Sequence, residues 1–346
     1  MKKINVIVTG AGSGVGQSIL KSLKISKLKL NIISSDISPL NAALFRYDKS
    51  IIIPKVEDKD SLKRIINILN KNEIHVLFVG SEYEVEFFSL NKKKIEQYTN
   101  AIICVSPIKT VQISGDKYLT YKFLRENNLP HAKTFLPKNL NNAKKILDNC
   151  KLPVFIKDRF GTSSRNIFLI KKKNELNKYF KIVPNSIIQE FAGNKGDDLK
   201  DEYTCSFFFS KEGKIIGPFI ARRILKYGTS WSIEVRNYNK IKSTLKKIAK
   251  LLPSIGSLNI QLRDGKKGPV PFEFNARFSG TTSIRSHYGF NEPEMFINNY
   301  YLGKKIKKPK IRNGIAFRYI DEIFLDGIKM SSKKLKKSKG EKRNWF

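Results

Sequence analysis

Gly256-Ser257-Leu258-Asn259-Ile260-Gln261 and Phe272-Glu273-Phe274-Asn275-Ala276-Arg277, joined across the turn Asp264-Gly265-Lys266-Lys267-Gly268, read as the two arms of a β-hairpin. Successive strand residues point to opposite faces. Phe272, Phe274 and Ala276 therefore enter a core, while Glu273, Asn275 and Arg277 share the other side. Pairing position 261 with 273 brings Gln261 to that side too, since directly opposed residues share a face. Three oxygen-bearing side chains and an arginine then meet in one patch. Oxygen donors without thiolate or imidazole suit Mg²⁺, which takes few protein ligands and completes its shell with water and nucleotide phosphates. A merely solvated hairpin face is the plain alternative.

Segments upstream carry chemistry that matches such a patch. Pro153-Val154-Phe155-Ile156-Lys157 ends an apolar strand in a lysine, and Asp158–Asn166 follows as a Gly/Ser/Thr loop able to close backbone amides and hydroxyls over phosphates. Alone, Lys157 would be a rim charge; the loop beside it points to a phosphate ligand. Ile187-Ile188-Gln189-Glu190-Phe191-Ala192 leaves a strand with an acidic residue followed by apolar backbone, an edge against which a purine can hydrogen-bond. Glu202 precedes the next strand, placed to reach a ribose.

The chain divides into two architectures. Ile4–Val8, Leu30–Ser34, Ser50–Ile53, Ile74–Val79 and Ala101–Val105 read as strands alternating with helices at Gln17–Leu28 and Ser61–Asn70, which implies a parallel sheet covered on both faces. From Asp116 the texture changes. Helices at Asp116–Asn127, Asn141–Asn149 and Ile241–Leu252 lie among strands at Val154–Lys157, Ile187–Phe191, Tyr203–Phe209, Lys214–Arg222 and Ser230–Val235. The expected fold is an α/β Rossmann-like parallel sheet followed by an α+β domain with an antiparallel sheet.

Thr9-Gly10-Ala11-Gly12-Ser13-Gly14-Val15-Gly16 sits between the first strand and helix and fits the T-G-x-x-x-G-x-G pattern of short-chain dehydrogenases. Asp36 stands where an acid takes a ribose 2′-hydroxyl, and Tyr118-x-x-x-Lys122 with Ser106 imitates that family's catalytic set. An NAD(P)-dependent dehydrogenase or epimerase is thus the alternative. Against it, Tyr118 follows the fifth strand too closely, the second half would have no role, and close helix–strand packing alone requires glycines here.

At 346 residues the chain has room for two domains, and its net charge of +36 would attract phosphates. The lysines are spread over almost every segment together with Asn and Ile, a compositional bias rather than a binding stripe, so nucleic acid is not the expected partner. The basic run from Lys329 to Phe346 reads as a mobile tail. Cys104, Cys150 and Cys205 are scattered, and His75, His131 and His287 lack metal-ligand spacing, so neither disulfides, zinc nor histidine catalysis is expected. No apolar run approaches the ~20 residues of a membrane span. The N-terminus meets Gly10 before the apolar region of a signal peptide is complete, which predicts a cytoplasmic protein. Oligomeric state is not legible.

Taken in order, Val154–Gly161, Gln189–Ala192, Glu202 and Gln261 through Arg277 resemble the ATP-grasp superfamily, in particular its carbamoyl-phosphate-synthase-like carboxylate–amine ligases. The resemblance covers roughly residues 4–300 and implies a Rossmann-like domain over 1–112 that binds no NAD. It further implies an ATP-grasp domain over 113–308, with a small lid at 113–186 and a metal and substrate part at 187–308, and an extension over 309–346. By resemblance Lys117 and Lys157 hold ATP phosphates, and Phe160, Gly161, Thr162, Ser163 and Ser164 form the loop above them. Gln189, Glu190, Phe191 and Ala192 line the adenine, with Glu190 and Ala192 in contact with it, and Glu202 meets the ribose. Gln261, Glu273 and Asn275 ligate Mg²⁺, or Mn²⁺ in its place, and Arg277 faces the transferring phosphoryl group. Arg222 and Arg223, at a strand end before Gly228-Thr229-Ser230, resemble an acceptor-pocket arginine, with Arg222 the choice for the carboxylate clamp. The implied reaction joins a small-molecule carboxylate to an amine with ATP as the co-substrate. The loop has one glycine where relatives carry several, and Gln261 stands where many carry an acid.

Overall fold

A computed structural model describes residues 3–47, 49–162, 165–192, 202–265 and 268–326, together with 328, 338, 340 and 341. Ile4–Val8 (β1), apolar on both faces, lies in the middle of a five-stranded parallel sheet with Leu30–Asp36 (β2), Lys49–Ile52 (β3), Val76–Phe78 (β4) and Ile102–Cys104 (β5). The order is β3-β2-β1-β4-β5. Alternation splits its side chains. Val6 and Val8 join Ile19, Leu20 and Leu23 of helix Gly14–Lys24, whereas Ile7 faces Ile65, Leu69, Phe88 and Ile95 on the opposite side.

The order reverses at the β1/β4 boundary, so the loops after these two strands meet at a crevice. A Cβ on Gly16 would lie 2.2 Å from the Gly10 carbonyl oxygen, and one on Gly80 would lie 2.2 Å from that of Thr9. The glycines of the motif therefore serve helix–strand contact. The loop after β4 leads into the 17-residue helix Glu82–Tyr98, which the sequence expectations lack.

Beyond residue 115 there are two antiparallel sheets. Thr134–Phe135 (β6), Val154–Asp158 (β7), Ile167–Ile170 (β8) and Ser186–Glu190 (β9) form one, in the order β6-β9-β7-β8. Val154, Ile156, Ile170 and Ile188 fill its core with Ala143 and Leu147 of helix Leu140–Asp148. Glu202–Phe209 (β10), Ile215–Lys226 (β11), Thr229–Val235 (β12), Gly256–Gly265 (β13), Gly268–Asn275 (β14) and Gly314–Phe317 (β15) form the other, in the order β14-β13-β10-β11-β12-β15.

Two expected domain limits change. β15 lies in the supposed C-terminal extension, yet it pairs Phe317 with Ser232 and completes the larger sheet. β9 belongs with the lid rather than the metal-bearing part, because its hydrogen-bonded neighbours are β6 and β7. The basic tail falls outside the described residues except at 338, 340 and 341. Among the described residues, no helix is long and apolar enough to cross a membrane.

Candidate active site

The two antiparallel sheets turn polar sides toward each other across a cavity of about 300 Å³. Along β7, Phe155 and Lys157 line this cavity while Val154 and Ile156 are buried in the core behind it. Opposite, Glu202, Gln261, Arg263 and Glu273 line it, and the intervening Tyr203, Ile260, Leu262 and Phe274 pack with Leu245 and Ile248 of helix Asn239–Leu251.

The hairpin has the expected register, Gln261 opposite Glu273, and also pairs Asn259 with Asn275. Glu273 Oε1 accepts hydrogen bonds from Gln261 Nε2 at 3.0 Å and from Asn275 Nδ2 at 3.1 Å. The amide oxygens turn the other way. Gln261 Oε1 accepts from Arg223 Nη2 at 2.6 Å, and Asn275 Oδ1 accepts from Arg277 Nη2 at 3.0 Å. One carboxylate flanked by two amides, each an amide rotation from presenting its oxygen, is a hard-oxygen set that fits Mg²⁺ or Mn²⁺.

Lys157 is buried, donates from Nζ to Gln189 Oε1 at 2.8 Å, and lies 4.6 Å from the Phe155 ring centroid. Burial first, then the nearby Lys117 and Arg263 charges, push its pKa down to about 7 against the pull of Glu273 and Glu202. Such a site takes a cation at a penalty that incoming anions relieve. Lys117 opens helix Lys117–Glu126, whose N-cap Asp116 accepts from the Tyr118 and Leu119 amides. Its Nζ donates to the carbonyls of Asp158 and Gly161, fastening the helix to the β7–β8 loop. Arg159 adds a two-nitrogen ion pair to Asp116. In that loop the Gly161 amide donates to the Asp158 carbonyl at 3.2 Å, and a Cβ on Gly161 would meet the Asp158 Cβ at 2.9 Å. Ser163 and Ser164 lie outside the described residues.

Glu190 and Ala192 line the far end of the cavity. Phe191 stacks on Phe155 with centroids 5.6 Å apart, and the Arg263 guanidinium lies 5.3 Å from the Phe191 centroid. Arg277 pairs with Glu82 at the start of helix Glu82–Tyr98, so the parallel sheet reaches into the site.

Two expectations require correction. Glu202 is not an open ribose ligand: it is 2 % exposed, and its oxygens accept from Arg223 (2.6 Å) and Arg263 (3.1 Å). Burial pushes its pKa up, but these two guanidinium groups outweigh that and hold the carboxyl below its usual range. Arg222 is not in the pocket. Neighbouring strand residues take opposite faces, so it pairs with Glu234 on the other side of the sheet while Arg223 enters the cavity. The sequence reading weighs Arg223 beside Arg222 and prefers the wrong one of the pair, and it passes over Arg263 and Glu82. Arg263 could have been found two positions beyond Gln261 on the same strand face; Glu82 has no local signal.

The dehydrogenase set is not assembled. Asp36 accepts from the Gly12 amide at 2.8 Å, Ser106 is bonded to the Ile255 backbone, and Tyr118 lies against Arg159.

Three family models match successive parts of the chain: a PylC-like N-terminal domain over residues 6–104, a RimK-like ATP-grasp domain over 114–201, and an ATP-grasp in the biosynthetic pathway with Ter operon over 200–323. Among curated proteins, a coenzyme gamma-F420-2:alpha-L-glutamate ligase of Methanocaldococcus jannaschii is 29% identical over 119 residues, 33% of this chain and 40% of that protein. The bifunctional purine biosynthetic protein purD of Dictyostelium discoideum is 23% identical over 201 residues, 57% of this chain and 23% of that protein. The chain thus spans less than half the length of these relatives. Among solved structures, N5-carboxyaminoimidazole synthetase of Staphylococcus aureus complexed with ADP superposes with a TM-score of 0.70 at 15% identity, covering 91% of this chain and 82% of that one. Biotin carboxylase of Campylobacter jejuni gives 0.71 at 16% identity, covering 90% and 74%. These likenesses establish the fold, and the consecutive family matches place the cavity described above within an ATP-grasp module. The chain belongs to the ATP-grasp superfamily, with a PylC-like domain ahead of that module.

Proposed function

We propose that this chain is an ADP-forming carboxylate–amine ligase. A substrate carboxylate oxygen attacks the γ-phosphorus of ATP, the bond from that phosphorus to the β,γ-bridging oxygen breaks, and ADP leaves. The amine nitrogen then adds to the acyl carbon, the carbon–oxygen bond to phosphate breaks, and inorganic phosphate departs as the nitrogen releases its proton to solvent. The carboxylate is a poor electrophile until it carries phosphate, so the protein's work is alignment and charge stabilisation.

In this reading Lys157 and Lys117 hold the phosphates beneath the loop of Phe160, Gly161 and Thr162, and Gln189, Glu190, Phe191 and Ala192 border the adenine. Glu202 positions Arg223 and Arg263 instead of binding ribose directly. Gln261, Glu273 and Asn275 would hold the divalent cation, which when bound neutralises charge on the β- and γ-phosphates. Arg277, oriented by Glu82 and Asn275, faces the transferring group. The observation that carries the proposal is the meeting of Gln261 and Asn275 on one Glu273 oxygen in the wall of the cavity that holds buried Lys157. The glutamate ligase among the relatives supports the reaction class.

The test is a thermal-shift titration with Mg-ATP, followed by ADP release against pooled carboxylic acids and amines. Wild type should gain stability from Mg-ATP and release ADP only with an acceptor, and Glu273→Ala and Lys157→Met should do neither. Full activity in both variants refutes the assignment.

A further inference from the structure

A second cavity, of about 690 Å³, lies apart from the nucleotide cleft. It lies between helix Gly14–Lys24, the residues after the short turn Ala42–Phe45, and the chain leaving β15. Among the described residues, Lys24, Arg46 and Arg318 line it together with Lys21 and Asp321, and Tyr47 and Tyr319 contribute aromatic surface. Its size suits a small molecule.

Two details say that the positive charge is directed at a ligand. Arg46 donates from Nη1 to Gln17 Oε1 at 3.3 Å, but its buried Nε–H has no partner among the described residues. An orphaned guanidinium donor at a cavity wall is costly unless an acceptor meets it. Arg318 donates to the main-chain carbonyls of Ser230 (3.0 Å) and Gly280 (2.6 Å), and burial lowers its pKa. Gly280 lies three residues past Arg277, and Ser18 of the helix also donates to its carbonyl at 3.1 Å. The cavity and the proposed phosphoryl-transfer centre thus share one loop.

We propose that this cavity binds an aromatic molecule bearing acidic groups, the non-nucleotide substrate of the ligation. Its role as substrate rests on the ligase reading; the binding itself does not.

The probe is 8-anilinonaphthalene-1-sulfonate, an aromatic monoanion, titrated by fluorescence into the full-length protein with saturating Mg-ATP. Saturable binding is expected, weakened about tenfold by Arg46→Glu and about threefold by Lys24→Glu on the exposed helix surface. Lys63→Glu, the same charge change on an exposed lysine away from the cavity, should leave it unaltered. Lys157→Met should lose the Mg-ATP thermal shift yet bind the probe within about twofold of wild type, which separates failure of the nucleotide reading from failure of this one. Equal binding by wild type, Arg46→Glu and Lys24→Glu overturns the proposal. So does equal weakening by Lys63→Glu, which would show general attraction to a basic protein.

Discussion

Replacing Lys157 by methionine should stabilise the nucleotide-free protein while abolishing its activity. The side chain is buried, and its pKa falls from 10.5 to about 7, burial being the largest cause. In the unfolded chain the lysine keeps an ordinary pKa near 10.4, so at neutral pH the folded state holds it at a penalty of roughly 4 kcal/mol. Methionine fills similar volume without the charge, at the loss of one hydrogen bond to Gln189 and one contact with the Phe155 ring, together about 1–2 kcal/mol. A net gain of about 2 kcal/mol is expected near pH 6–7. The pH dependence is the sharper readout. Below the folded pKa both states carry the proton and the penalty is complete. As pH rises toward the unfolded pKa, the unfolded state binds more protons than the folded one, so wild-type stability climbs and the advantage of Lys157→Met shrinks. Urea denaturation at pH 6, 7.5 and 9 without nucleotide measures both effects, and Mg-ATP should reverse the ranking at pH 7.5. A variant less stable than wild type by the same amount at all three values would refute the argument.

Three further outcomes follow from the geometry. Glu202→Gln leaves Arg223 and Arg263 without their shared carboxylate and should cost about 3 kcal/mol in urea denaturation at pH 7; because the folded carboxyl titrates below its usual range, wild type begins to forfeit this stability as pH falls below about 4, and the two proteins should converge only once pH has passed below the lowered folded value. Arg222→Ala should keep acceptor-dependent ADP release within about twofold of wild type, whereas Arg223→Ala, which removes the partner of Gln261, should reduce it by about tenfold or more, and a reversed ranking would restore the sequence-based choice. Gly16→Ala drives a methyl to 2.2 Å from the Gly10 carbonyl oxygen and should cost about 2 kcal/mol measured as a lowered thermal midpoint; an unchanged midpoint would mean that the helix shifts freely on the sheet.

The hairpin was legible because its apolar and polar residues alternate cleanly on both sides of a short turn, which fixes parity and hence the shared face of Gln261, Glu273 and Asn275. Ala221-Arg222-Arg223-Ile224 offers no such alternation, and a register irregularity follows at Ile224/Leu225. Only the cross-strand partners settle which arginine faces the cavity: Arg222 lies opposite Tyr203, whose ring is in the core, while Glu202, one residue earlier on β10, reaches Arg223. Helix Glu82–Tyr98 escaped for a related reason. It buries Val85, Phe88 and Ile95 but also Glu84, which accepts from Thr9 Oγ1 at 2.6 Å, so its apolar stripe is broken by an acid. Burial pushes that carboxyl up to about 7, an environment made by β1 and β4 that no local pattern contains.

The revised role of Glu202 changes how the cavity's charge is understood. Among the described residues, four basic side chains line it, Lys117, Lys157, Arg223 and Arg263, against the three carboxylates Glu190, Glu202 and Glu273. Glu202 alone meets both arginines, and Glu273 accepts from two amides, so neither is paired directly with Lys157. Lys117 points at loop carbonyls and Lys157 at a neutral glutamine. Neither lysine therefore has a bonded carboxylate on the side where the β7–β8 loop begins, and the lowered pKa of Lys157 reflects that, so an incoming anion would favour its charged form. A triphosphate satisfies both at once. Nucleotide and metal together should therefore bind more tightly than either alone.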